Sequence, residues 1–408
     1  MKHVYIFCMQ SSGVVYGIGT YIQQLTEAIR NKNDVSINIV IRQSEKPEFT
    51  VKESDGVRTF YLPHIKNQNN PRFETLYNRN VWYLLRPYIQ LGLSDQLIFH
   101  LNYYEESSFI PYFKKVFPDC KVLFAIHYQR WCFLINGNIV YFKQIVHNES
   151  NNRSDTEKWL LTSYETEKKV LQTVDKIICL SEFTKRVVID NYHISHEKIA
   201  IIYNGLKDEG KILSPKAKSD LLKKMSFSDS ELLILFVGRL DRIKGLDILI
   251  QAFKIVLNAC PQSRLIIIGD GDYNLYLKEC KDCWEKITFT GHLDRKTVYQ
   301  FYQIADVGVI PSFHEQCSYV AIEMMMFGLP LVVSTSTGLS EMAPDYLEPY
   351  KTQVLELEKG ATIKPTELAS KIMTVPKDFQ VKKMIRNCFL EKFSHTTMGN
   401  RYLTLLDS

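Results

Sequence analysis

The chain has 408 residues, 45% hydrophobic and 23% charged, with 50 Lys and Arg against 45 Asp and Glu for a formal net charge of +5. That length exceeds one ordinary core and sets an expectation of two domains. The composition excludes a disordered or collagenous chain, and no apolar run approaches the ~20 residues of a membrane-spanning helix.

The cationic residues are spread along the chain, with no basic cluster interleaved with aromatics, so nucleic acid is not an expected partner. The N-terminus enters a strand-like run at His3–Cys8, and a cytoplasmic location is expected, with a peripheral contact at a membrane surface left open. The nine cysteines read as reduced thiols. Cys280 and Cys283 form one C-x-x-C without a second pair at zinc-finger spacing, so they read as structural and no metal site is expected.

In chain order, β-branched runs at 4–8, 35–41, 97–101, 122–126, 176–180 and 199–202 are predicted strands, with helices at 18–30, 74–88, 157–173 and 182–192. That alternation predicts a parallel sheet wrapped by helices. The second half repeats the pattern: strand 232–237, a continuous apolar run expected of a strand buried on both faces, helix 245–258, strands 264–269 and 287–290, helix 294–305, strand 307–311, helix 319–327 stopped by Gly328 and Pro330, and strand 331–334. Between the halves lies a Lys-rich stretch holding Pro215. The expected division is a first Rossmann-like domain over 1–205, a linker over 206–229, a second Rossmann-like domain over 230–375, and a helical segment over 376–408 packing back on the first domain. Two such doubly wound α/β domains facing each other across a cleft would suit a two-substrate enzyme.

The residues with chemical content begin where the first strand of the second domain ends, at Val237-Gly238-Arg239-Leu240-Asp241-Arg242-Ile243-Lys244-Gly245. Gly238 permits a tight turn, and Arg239 and Lys244 place two cations between a strand's carboxyl end and a helix N-terminus, a good pyrophosphate site. Further on, Glu315 sits in a loop and Glu323 inside the helix that follows, where carboxylates can accept paired hydrogen bonds from vicinal hydroxyls. Backbone N–H groups at Cys317, Ser318 and Tyr319 open that helix and can meet another phosphate oxygen.

The segments VGRLDRIKGLDILIQAF, IIGDGDY, TFTGHLDRKTVYQFYQIADVGVIPS and HEQCSYVAIEMMMFGLPLVVS resemble the C-terminal half of the retaining GT-B glycosyltransferases of family 4. The resemblance implies that Arg239 and Lys244 contact the donor's diphosphate, that Glu315, first of an E-x7-E pair, contacts the transferred sugar, and that Glu323 holds the ribose. It places Gly291 and its neighbours beside the nucleobase. The first half resembles the family more weakly: Gly17 and Gly19 stand in its Gly-rich loop after the first strand, with Tyr16 in place of the usual first Gly. His127 ends a strand where the family often has a His near the reaction centre. Gln316-Cys317-Ser318 departs from the family's usual Gly-Phe-Gly-like or Pro-Phe-Gly-like run, which leaves the sugar open.

The implied reaction is metal-independent transfer from a nucleotide diphosphate sugar, UDP- or GDP-linked, to an acceptor hydroxyl with retention of anomeric configuration. No separate cofactor is expected. The acceptor stays open among a saccharide, a lipid-linked glycan and a peptide. Rival readings are a GT-B phosphorylase, a sugar-nucleotide epimerase or a non-enzymatic sugar-binding protein. A nicotinamide oxidoreductase fits poorly, because Gly17-Ile18-Gly19-Thr20-Tyr21-Ile22 lacks the last Gly of the dinucleotide fingerprint and the second strand ends in Ile41-Arg42 without an acid.

Overall fold

A computed structural model describes residues 1–10, 17–32, 34–65, 72–148 and 152–408. The chain forms two compact units: one holds Met1–Gln129, Leu161–Lys207 and His395–Ser408, the other Arg130–Leu160 and Asp208–Ser394.

The first unit is built on strands β1 (Lys2–Met9), β2 (Val35–Ser44), β3 (Thr50–Ser54), β4 (Val57–Pro63), β5 (Gln96–Leu101), β6 (Lys121–Ile126), β7 (Lys176–Cys179) and β8 (Ile199–Ile201). They lie in the order β3-β4-β2-β1-β5-β6-β7-β8. Every pairing is parallel except β3 with β4. The central strands β1, β5 and β6 are almost wholly buried, which is why they read as unbroken apolar runs. β3 is half-exposed to exposed along its length, and its hairpin with β4 carried no such signal. Phe7, Phe99, Phe109, Phe113 and Trp82 pack ring to ring on one side of this sheet. Trp82, Tyr103 and Tyr104 are buried in this unit and Trp131 in the second, whereas Tyr83 and Phe133 are exposed.

The second unit holds β9 (Leu232–Val237), β10 (Ser263–Ile268), β11 (Ile287–Gly291), β12 (Val307–Ile310) and β13 (Leu331–Val333). They form one parallel sheet in the order β11-β10-β9-β12-β13. This is a doubly wound arrangement, with its order reversing beside β9. Helix Leu246–Ala259 buries Leu249, Ile250, Phe253 and Val256 as one apolar face. A two-stranded antiparallel hairpin, β14 (Val354–Leu357) and β15 (Gly360–Ile363), follows the sheet.

Three parts of the expected division differ from these units. Residues 130–160, assigned by sequence to the first domain, belong to the second unit: Asn138 donates to the carbonyls of Leu357 and Gly360 at 2.7 and 2.8 Å. The expected linker contains helix Pro215–Lys224, capped by the Ser214 hydroxyl and started by Pro215. Its Lys218 pairs with Asp306 at 2.6 Å, which ties the helix to the second unit. Of the segment 376–408, only His395–Ser408 lies with the first unit. There helix His395–Asp407 packs against helix Ile18–Ile29, with Gly399 against Ala28. Helix Phe379–Cys388 stays with the second unit, where Arg386 binds Asp208 at 2.7 Å.

Candidate functional site

The candidate site of the second unit is assembled at the carboxyl ends of β9, β10, β11 and β12. After β9 the chain turns at Gly238, whose N–H bonds the Ile268 carbonyl at 2.9 Å. The Gly269 N–H reaches the carbonyl of Gly291 at 3.1 Å. The loops after three neighbouring strands thus approach backbone to backbone. Gly291 has φ +75.

Lys244 and Gly245 close the turn before helix Leu246–Ala259. Gly245 has φ +67, and a Cβ there would lie 2.2 Å from the Pro311 carbonyl oxygen, so a side chain is excluded both by the backbone angle and by that contact. The Phe313 N–H bonds the Ile243 carbonyl at 2.8 Å, which fixes the basic turn to the loop after β12. The result is direct contact between two residues 71 positions apart: Lys244 Nζ lies 2.6 Å from Glu315 Oε1. The Ser312 hydroxyl donates to the same oxygen at 3.1 Å. Thr337 holds the Glu315 backbone from both ends, its hydroxyl accepting from the Glu315 N–H at 3.0 Å and donating to the Glu315 carbonyl at 2.7 Å.

Arg239 is not part of that contact. It is half exposed and pairs with Asp241 at 3.1 Å. Ser318 caps helix Tyr319–Met326, its hydroxyl accepting from the Ala321 N–H, and Cys317 is buried beside it. Glu323, further along this helix, accepts a hydrogen bond from the Tyr302 hydroxyl at 2.8 Å. Burial raises the Glu323 carboxyl above the usual carboxylate range, against the lowering effects of Tyr302 and Arg295. Lys244 and Glu315 thus meet directly, while Arg239 and Glu323 each sit with a different partner.

In the first unit, Gly17 is the N-cap of helix Ile18–Ile29 and offers no side-chain cap; Gly19 lies in the first turn. Tyr16 falls outside the described residues. His127 follows β6, with its Nε2 2.8 Å from Asn102 Oδ1 and the Tyr21 ring edge-on at 4.6 Å between centroids. Burial pushes its imidazole down to about 3, so the ring is neutral at pH 7.

Ser312, Thr337, Tyr302 and Asn102 were not singled out from the sequence. Asn102 left one usable signal, a polar residue directly after the buried run of β5. Thr337 and Tyr302 left none, because their partners lie 21 or 22 residues away along the chain. Cys280 and Cys283 are buried free thiols. No helix among the described residues is long and apolar enough to cross a membrane.

Residues 15–209 match the family model for Glycosyltransferase Family 4, and residues 231–378 match that for glycosyl transferases group 1. An uncharacterized glycosyltransferase of Methanocaldococcus jannaschii is 36% identical over 174 residues, which covers 41% of this chain and 44% of that protein. The aligned part of the chain spans about half the length of several curated relatives it matches. Among solved structures, sucrose-phosphate synthase from Thermosynechococcus elongatus aligns with a TM-score of 0.73 at 18% identity, covering 100% of this chain and 98% of that one. The Anabaena protein HepE, in complex with UDP, aligns with a TM-score of 0.69 at 16% identity, covering 100% of both chains. The chain has the GT-B fold and, through both of its halves, resembles the GT-B glycosyltransferases of family 4.

Proposed function

We propose that this chain is a glycosyltransferase that moves a sugar from a nucleotide diphosphate sugar to an acceptor hydroxyl with retention of anomeric configuration. The observation that carries the proposal is the 2.6 Å pairing of Lys244 with Glu315 at the carboxyl end of the second sheet. Transfer requires departure of a dianionic diphosphate while positive charge grows on the anomeric carbon. A preorganised ammonium and an exposed guanidinium supply the countercharge to the leaving group, so Lys244 and Arg239 are assigned to the diphosphate in a metal-independent reaction. The carboxylate of Glu315, bonded by the Ser312 hydroxyl and set by the hold of Thr337 on its backbone, is assigned to hydroxyls of the transferred sugar, and Glu323 to the ribose. The N–H groups of Cys317, Ser318 and Tyr319 are assigned to a phosphate oxygen, and Gly238 and Gly291 to close backbone approach around the nucleotide.

His127 is assigned to the reaction centre and the Gly17–Gly19 turn to the acceptor side. With no covalent nucleophile assigned, the acceptor hydroxyl attacks on the face the diphosphate leaves and gives up its proton to a departing phosphate oxygen. UDP-sugars are the first donors to try, since the Anabaena neighbour is in complex with UDP. The acceptor is a saccharide, a lipid-linked glycan or a peptide.

The test is a thermal-shift screen of the purified chain with UDP-, GDP- and ADP-sugars, with Arg239→Ala and Glu323→Ala as controls. A shift for one nucleotide family that both substitutions abolish supports the donor site. No shift with any donor, in folded protein, overturns it. Turnover that needs free phosphate, or that changes the donor without an acceptor, replaces transfer with phosphorylase or epimerase chemistry, and an inverted product overturns retention.

A further inference from the structure

The first unit contains a buried polar network that the donor assignments leave unused, and its last member is His127. Arg42, fully buried near the carboxyl end of β2, reaches Glu74 at 2.6 Å and Glu106 at 3.5 Å. Removing a guanidinium from water is costly, and a stable fold keeps one only where anions compensate it. Glu106 is itself fully buried. Its Oε2 accepts the backbone N–H groups of Asn102 at 2.8 Å and Tyr103 at 3.1 Å, which fixes the turn leaving β5.

That turn sets the Asn102 side chain. Its Nδ2 donates to the Phe7 carbonyl at 2.8 Å, at the end of β1. A carbonyl can only accept, so the amide is oriented with Oδ1 facing His127 Nε2 at 2.8 Å. Oδ1 can also only accept, so Nε2 carries the proton. In a neutral ring Nδ1 must then hold the lone pair.

We infer that Arg42 and Glu106 are positioning residues which, through the turn at Asn102, lock His127 in the Nε2–H tautomer and leave Nδ1 as a hydrogen-bond acceptor for a substrate hydroxyl. The substrate part of the inference rests on the glycosyltransferase reading; the tautomer part does not. The network acts through geometry, because among the described residues Arg42 and Glu106 reach His127 through the Asn102 backbone and amide. It spans β1, β2 and β5, so it sets the imidazole against the sheet itself.

The experiment is 15N NMR of the full chain labelled at histidine, with the His127 resonances assigned by their loss in His127→Gln, alongside steady-state kinetics. The expected wild-type pattern at pH 7 is a single Nε2–H tautomer. Glu106→Gln is expected to mix the tautomers and lower kcat about tenfold, with KM for the donor within about twofold. Asn102→Ser, which removes the acceptor without touching the ion pair, tests the same point should Glu106→Gln fail to fold. An unchanged tautomer in both variants, or a wild-type ring protonated on Nδ1, overturns the inference. Absence of transfer by the wild-type chain overturns the functional reading instead, and the NMR result still decides the network.

Discussion

Lys244 and Glu315 neutralise each other at 2.6 Å across a gap of 71 residues, and each is largely withdrawn from water. The two side chains therefore act as one unit, in which, on the proposed function, a donor diphosphate would compete with Glu315 for the ammonium. Lys244→Met should lower kcat/KM by about 10²–10³-fold, the scale for removing one preorganised group that stabilises developing charge. Because Lys244→Met also leaves Glu315 without its countercharge, the double variant Lys244→Met/Glu315→Gln should cost less than the sum of the singles. Kinetics at the four corners of the cycle check this, and strict additivity would refute the coupling.

Gly137 reaches the same site from residues 130–160. It has φ +69, and a Cβ there would stand 2.7 Å from the Phe313 carbonyl oxygen and 3.3 Å from Thr337 Cγ2. Gly137→Ala should therefore destabilise the fold by roughly 2 kcal/mol, combining left-handed backbone strain with a contact that must give way. It should also lower donor affinity, since Phe313 and Thr337 flank Glu315. Thermal unfolding and donor titration of the variant test both parts. A melting temperature equal to the wild type would show that residues 130–160 are not held against this loop.

The parallel strands and the basic turn were legible because the physics behind them is local. β9 reads as a strand from six consecutive apolar residues, and Gly238 to Gly245 read as a turn carrying two cations between strand and helix. Helix Pro215–Lys224 also left a signal, Ser214 as cap and Pro215 at the first turn, but its lysines outweighed that signal in the reading of a linker. The association of residues 130–160 with the second unit depends on Asn138 meeting the carbonyls of Leu357 and Gly360, a contact over more than 200 residues with no periodicity to betray it. The same applies to Tyr302 on Glu323. A carboxylate's type and spacing are visible in a sequence, whereas its partner is not.

The histidines held in low-polarity surroundings contribute to the loss of stability in acid. Desolvation lowers His127 to about 3, with no other cause opposing it, and His100 to about 3 with a smaller contribution from His127. It lowers His314 to about 4, with Glu315 acting in the opposite sense. In the unfolded chain each takes up a proton near 6.5, so their stabilisation is fully present above pH 6.5 and is lost as pH falls toward 4 and then 3. Glu106, raised by burial to about 7, has the reverse dependence: its contribution is full below about 4.5 and fades as pH rises through 7. Glu323, raised by burial, acts in the same sense as Glu106, and His395, lowered by burial, in the same sense as the other histidines. Four histidines against two carboxylates give a net fall in unfolding free energy from pH 6.5 to 4.5. Urea denaturation across that range tests the sign. His314→Gln should flatten the slope, and a wild-type slope of zero or opposite sign would contradict the burial argument.

Glu323 offers a prediction that separates nucleotide recognition from folding. Its Oε2 is held by the Tyr302 hydroxyl at 2.8 Å, so on the proposed function Oε1 is the oxygen that would meet a ribose hydroxyl. A hydrogen bond to an ionised carboxylate contributes about 1.5–3 kcal/mol, so Glu323→Gln should weaken UDP binding by roughly 10–100-fold if uridine is the donor base. Glutamine can still accept from Tyr302, so the helix Tyr319–Met326 should keep its place and the melting temperature should change little. The weakening should vanish with 2′,3′-dideoxy-UDP, which has no ribose hydroxyls to lose, so calorimetry with the two nucleotides isolates the contact. Equal weakening toward both would mean that Glu323 shapes the site through Tyr302 and does not touch the ribose.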